Sequence, residues 1–208
     1  MKRGATFLWV MILFLMFNVS WGEDVNPPPW RYSPGSTFQV WEFSTADNPA
    51  MPDDSTNPES PSVLIAGNFI DGTFYNETYA GHQGVWLFED EMIATIPNFN
   101  QLNPTKEIWV QMTFFADGVA NLYVLPEGDE NELVIMDQGE TEALGGGWYQ
   151  STFHATLEPN PTMEEIWIRP AECTLYVDEL VIDTICAPEP ATLVLLGLGG
   201  LGLLRRRR

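Results

Sequence analysis

Between its two ends this chain shows no sustained 3.6-residue apolar period. Apolar residues alternate with polar ones in short runs, and Gly, Pro, Asn and Asp punctuate them. Strands patterned this way bury one face each, so the chain must fold as sheet packed on sheet. The clearest run is Glu107 to Phe115, where Ile108, Val110, Met112 and Phe114 point one way. Asp117-Gly118 is a turn dipeptide, and Val119 to Leu125 returns with Leu122 and Val124 on one face. This pattern predicts a hairpin.

Further strands are predicted at Phe38–Ser44, Val63–Ile70, Thr73–Tyr79, Gly84–Phe88, Met92–Ile96, Glu132–Met136, Trp148–Leu157, Ile166–Arg169 and from Thr174 onward. Gly84–Phe88 and Met92–Ile96 read as a pair around Glu89-Asp90-Glu91. Ser44 to Ser62 is rich in Pro, Asp, Asn and Ser without an apolar period, and reads as a long loop, the most mobile part of the domain. Gly67 marks a bulge or close backbone approach. The last strand changes phase, because Leu175 and Val177 are apolar at odd positions and Leu180 and Ile182 at even ones. One inserted residue does this, so a β-bulge is predicted at Asp178-Glu179. The expected fold class is all-β, a two-sheet antiparallel sandwich of jelly-roll, lectin-like type. A signal helix and a membrane helix are expected to flank it.

The ends are of another kind. Lys2 and Arg3 precede the apolar run Phe7 to Phe17, and Ser20 and Gly22 stand before Glu23. These are the parts of a cleavable secretory signal over residues 1–22. At the other end Pro188-Glu189-Pro190 leads into the apolar run Ala191 to Leu204 and then Arg205, Arg206, Arg207 and Arg208. Fourteen residues at about 1.5 Å each reach roughly 21 Å, short of a hydrocarbon core of about 30 Å. Local thinning and the long arginine stems can close that gap. Four arginines do not cross a bilayer cheaply, so they hold the preceding domain outside.

Residues 188–208 closely resemble the PEP-CTERM protein-sorting signal. The resemblance implies recognition by an exosortase-like membrane transpeptidase, with Pro188, Glu189 and Pro190 read by the enzyme and Arg205 to Arg208 setting topology. It also implies transient anchoring in the inner membrane of a Gram-negative-type cell, then release to a surface or matrix containing exopolysaccharide. Pro27-Pro28-Pro29-Trp30-Arg31, Pro34-Gly35-Ser36-Thr37-Phe38 and Leu175-Tyr176-Val177-Asp178 resemble the ectodomains of such proteins, most of which lack known activities.

Residues 23–187 then form one domain of 165 residues, long enough for a sizeable core. Arg31, Lys106 and Arg169 are its only basic residues, against 28 acidic ones, a net charge of −25. Such a domain repels phosphate backbones, so no nucleic-acid partner is expected. Cys173 and Cys186 flank the last strand. If that strand is fully extended they stand roughly 40 Å apart, where a disulfide needs Cα atoms within about 7 Å. No internal bridge is therefore expected.

No nucleophile elbow, zinc helix, phosphate loop or dinucleotide fingerprint is present. His82 lies in a Gly-rich turn, and His154 points to solvent if Phe153 and Ala155 face inward. An enzyme is not expected, although a glycosidase needs only two facing carboxylates. Asp178, Asp183 and the Glu89-Asp90-Glu91 turn crowd acids together, but no loop has the form of a Ca²⁺ loop, and no metal or cofactor is expected. Sugar binding is the alternative. Trp167 faces outward beside Glu165 and Arg169 if Ile166 and Ile168 are buried, and Trp109 shares a strand face with Glu107, Gln111 and Thr113. With Tyr176 they would form an aromatic platform if their strands adjoin in one sheet. Packing in the core or under a loop is the competing reading for each.

Overall fold

The computed structural model describes residues 24–66, 74–98, 104–115, 120–126, 133–171 and 174–187. These form thirteen strands and no helix. In chain order they are β1 (Ser36–Trp41), β2 (Asp54–Ser55), β3 (Ser62–Ala66), β4 (Phe74–Tyr79), β5 (His82–Phe88), β6 (Glu91–Pro97) and β7 (Thr105–Phe115). They continue as β8 (Ala120–Pro126), β9 (Val134–Ile135), β10 (Asp137–Gly145), β11 (Trp148–Leu157), β12 (Met163–Pro170) and β13 (Leu175–Ala187). The signal segment, the apolar tail, Gly67, Asp117-Gly118 and Cys173 lie outside the described residues.

All pairings are antiparallel and make two sheets. The larger runs β10-β11-β7-β13-β1-β2, and the β4–β5 hairpin also joins it through β13. The smaller runs β3-β6-β12-β8-β9. The alternation that defines each strand also closes the core. Ile108, Val110, Met112, Leu180 and Ile182 from the larger sheet meet Val63, Ile65, Met92, Ile96, Leu122, Val124, Ile166 and Ile168 from the smaller one in a single cluster. The sandwich class agrees with the sequence reading.

Two local pairings do not. β7 and β8 never pair, because β7 already has β11 on one edge and β13 on the other. The chain instead crosses to the smaller sheet, where β8 pairs with β12. β5 and β6 likewise belong to different sheets. A turn signal marks where the chain reverses, but edge availability decides the partner. The sequence reading also missed β10. This edge strand is exposed almost throughout and carries Asp137, Glu140 and Glu142, so it lacks the apolar face that announces a strand. Its charges suit an edge that must not pair with other chains.

The stretch from Ser44 to Ser62 is pinned rather than loose. Trp41 Nε1 donates to the Ala50 carbonyl (3.2 Å), Asn48 bonds both the N–H and the C=O of Ile65, and Asn57 Nδ2 donates to Pro97 O (3.0 Å). Polar side chains replace the missing apolar period by satisfying backbone groups directly.

β13 runs unbroken for 13 residues, and Cys186 near its end is buried. The extended-strand premise behind the expectation about the cysteines therefore holds. The predicted bulge is present, since the register against β7 slips between Val177 and Glu179, leaving Asp178 as the extra residue.

Close to the Ala187 end the two sheets are also tied by charge. Lys106 on β7 and Glu164 on β12 are both buried, with Nζ 2.6 Å from Oε1 and 2.8 Å from Oε2. Burial raises the Glu164 pKa, and the Lys106 charge and hydrogen bond oppose that rise. We expect Lys106→Met alone to cost about 3–5 kcal/mol, because it strands the Glu164 charge, while Lys106→Met with Glu164→Leu recovers most of the loss. Urea unfolding reads both, and a double variant no more stable than the single would contradict this account.

Candidate functional site

The β4–β5 hairpin turns through Ala80 and Gly81, both at positive φ. Two such residues make the tight turn whose twist matches the strands it joins. Trp148 Nε1 caps this turn by donating to Ala80 O (3.1 Å), and the Trp148 ring stacks on His82 at 4.1 Å. Tyr79 stacks on Tyr176 at 4.3 Å and meets the edge of Phe115. Aromatic packing thus fixes His82 as the first residue of β5. The bulge supplies its partner, with His82 Nδ1 and Asp178 Oδ2 2.6 Å apart.

This pair lies in an open cleft of about 970 Å³. The β1–β2 connection contributes Glu42, Ser44 and Thr45, β4 contributes Tyr75 and Glu77, and β13 contributes Asp178 and Glu179. Gly84 lets the walls meet, because a Cβ there would stand 2.4 Å from Phe43 O, and its φ is +77°. Burial raises the Asp178 pKa, opposed by the His82 hydrogen bond and charge. Burial, then Asp53 and then Asp178, raise that of Glu42. Among the described residues no Arg or Lys lines the cleft, and Glu42, Glu77, Asp178 and Glu179 make it an acidic hollow. Among the described residues no group of three or more His, Cys, Asp or Glu is arranged to hold a metal ion.

The three aromatic residues singled out by sequence do not share a surface. Trp109 lies on the outer face of the larger sheet, level with His154 and Asp183. It is half-buried, and its Nε1 donates to Asn26 O (3.0 Å). The N-terminal segment crosses the sheet here. Asn26 N–H donates to Gln111 Oε1, and Arg31 binds Asp183 through Nε and Nη2, at 2.5 Å each, and also Asp24. Tyr176 is on the same sheet but seven residues along β13 from Asp183, roughly 23 Å away. Trp167 belongs to the smaller sheet, on the opposite side of the sandwich. The condition for one platform, adjoining strands in one sheet, is not met.

Trp167 does face outward between buried Ile166 and Ile168. Its Nε1 donates to Glu165 Oε2 (3.0 Å), and the Arg169 guanidinium lies 4.5 Å from its ring centroid. His154 is exposed, opposite Trp109. Of the acids considered for Ca²⁺, Asp178 is hydrogen-bonded to His82, and Asp183 and Glu91 pair with Arg31 and Arg169. The His82–Asp178 pair escaped the sequence reading because 96 residues separate its members; the predicted bulge was the only signal near it.

Beyond Ala187, where β13 ends, comparison supplies what geometry does not. The family model of the PEP-CTERM protein-sorting motif matches residues 187–208. The chain carries a PEP-CTERM sorting signal. Pro188, Glu189, Pro190 and Arg205 to Arg208 fall within the match and outside the described residues. The signal implies recognition by an exosortase, export and transient membrane anchoring before release at the cell surface. No curated protein matches the chain in sequence. Among solved structures, a family GH115 4-O-methyl-alpha-glucuronidase, BtGH115A, "with specificity for decorated arabinogalactans", is 13% identical over 58% of this chain, with a TM-score of 0.33. The chain spans 17% of that protein's length, and a likeness this low carries no argument here.

The raised carboxylates set a pH dependence. A folded pKa above the unfolded value means that the native state binds more protons, so stability is greatest on the acid side and is lost as pH rises through the raised values. Asp178, Asp183, Glu42 and Glu164 all shift this way. The melting temperature should rise on going from pH 7 to pH 5, and Glu42→Gln should raise it at pH 7 while flattening the profile. Thermal melts across that range check the sign, and a fall on acidification would refute it.

Proposed function

We propose that residues 23–187 are a non-enzymatic surface or matrix module with a jelly-roll, lectin-like sandwich. It is exported by its N-terminal signal and delivered to the surface of a Gram-negative-type cell by an exosortase-like transpeptidase. The observation that carries this reading is the PEP-CTERM match at residues 187–208. Its position supports the reading further. The matched span begins at Ala187, the last residue of β13, so the signal follows the sandwich with no spacer. The His82 cleft lies near the other end of β13, nine residues from Ala187 and roughly 30 Å away. A domain held at Ala187 presents that cleft away from the membrane.

The reading of the domain as a module that does no chemistry rests on its sequence, which carries no nucleophile elbow, zinc helix, phosphate loop or dinucleotide fingerprint. The strong acidity fits a solvated extracellular protein.

Replacing Arg205 to Arg208 by alanine removes the charge that stops the apolar run in the bilayer. We expect processing at the sorting signal and surface delivery to fall by about tenfold or more, while the sandwich folds normally. Cell fractionation and the mass of the released protein measure both. Unchanged delivery would refute the proposed role of the arginines.

A further inference from the structure

The outer face of the smaller sheet holds a feature that no single strand reveals. Cross-strand register places Leu64 opposite Ile93, Ile93 opposite Trp167, Trp167 opposite Tyr123, and Tyr123 opposite Ile135. Residues directly opposite one another point to the same face. One apolar row therefore crosses all five strands, β3, β6, β12, β8 and β9, with its two aromatic side chains adjacent. Its ends are open, Leu64 being 42% and Ile135 72% exposed. Most positions flanking it on the same face are polar. Ser62, Thr95 and Glu165 form one flanking row, and Glu91, Arg169 and Asn121 line the other.

We propose that this row binds an uncharged linear polysaccharide lying across the strands. Five strands about 4.8 Å apart make the row roughly 19 Å long, and same-face neighbours two residues apart keep it about 7 Å wide. That area, roughly 130 Å², is far below the 800 Å² or so that each partner buries in a stable protein complex. The row is long and one side chain wide, so it suits a ligand of one chain's width. Sugar rings have apolar faces and hydroxyl edges. The indole and phenol rings meet the faces, and the flanking hydroxyl, carboxylate, amide and guanidinium groups meet the edges. The charge of the domain selects against polyanions, because the one cation here, Arg169, already pairs with Glu91 (3.1 Å). Arg169 also lies over both rings, 4.5 Å from Trp167 and 5.8 Å from Tyr123. It must swing aside for a sugar to stack, and a partly exposed ion pair costs little to open.

Native affinity electrophoresis tests this on the secreted domain, with hydroxyethylcellulose, galactomannan or alginate cast in the gel. At least one of the two neutral polymers should retard the protein, and anionic alginate should not. Trp167→Ala and Tyr123→Ala should each weaken retardation about tenfold or more. Ile135→Asp, at the exposed end of the row where packing is not at stake, should weaken it severalfold. Trp109→Ala, on the other sheet, should leave it unchanged. The proposal is overturned if neither neutral polymer retards the protein, if all three row variants bind as well as the parent, or if alginate binds best. It is also overturned if gel filtration shows a dimer that Ile135→Asp dissociates, which would assign the row to a second copy of the chain. Each of these results leaves export and sorting unaffected, so failure here is distinct from failure of the sorting reading.

Discussion

β13 is the constraint on which the rest of this fold depends. It pairs with β7 along one edge, and its other edge is shared between β5 and β1. Two partners can share one edge because the strand carries an extra residue between them. Val177 still faces the core in register with Trp86 of β5, and by Leu180 the strand faces the core again in register with Trp41 of β1. The inserted Asp178 is turned out at the junction, where it meets His82. A bulge that re-aims one side chain beside a cleft is a familiar use of this distortion. The same strand ends at Ala187, where the sorting signal begins, so the most heavily paired element of the sandwich is also its attachment point.

Charge is distributed with similar economy. The domain has three basic side chains and all three are in ion pairs. Arg31 ties the N-terminal segment to Asp183, Lys106 ties β7 to Glu164 across the core, and Arg169 holds Glu91 on the outer face of the smaller sheet. Asp183 and Glu164 have fully buried side chains, and a buried carboxylate without a partner would be costly. Among the described residues, Glu42, Glu77, Asp178 and Glu179 line the His82 cleft, and Asp54, Asp137, Glu140 and Glu142 are exposed. An acidic exterior around a few fixed cations favours solubility and repels anionic surfaces.

Much of this was legible in the residue order. The alternation in Glu107–Phe115 named the inward face of β7 correctly, and the phase change after Val177 placed the bulge at Asp178-Glu179, where Asp178 is the extra residue. The outward direction of Trp167 followed from its two isoleucine neighbours. Several readings failed, most of them for want of information about a neighbour. Asp117-Gly118 suggested that β7 and β8 pair, yet β7 had no free edge. The polar run Ser44–Ser62 looked loose, yet Asn48, Asn57 and Trp41 fasten it to other strands. The exposed edge strand β10 gave no apolar signal at all.

Local pattern therefore determined what each segment is: strand or turn, which face is apolar, where one residue is inserted, and that residues 188–208 carry a sorting signal. Those properties depend on residues two to four apart and are written in the chain directly. Only tertiary structure decided which strands share a sheet. With that came the separation of Trp109 from Trp167, the meeting of His82 with Asp178, and the alignment of Leu64, Ile93, Trp167, Tyr123 and Ile135 into one row. Strand partners are chosen by free edges and by mutual burial across the whole sandwich, and neither is a property of any one segment.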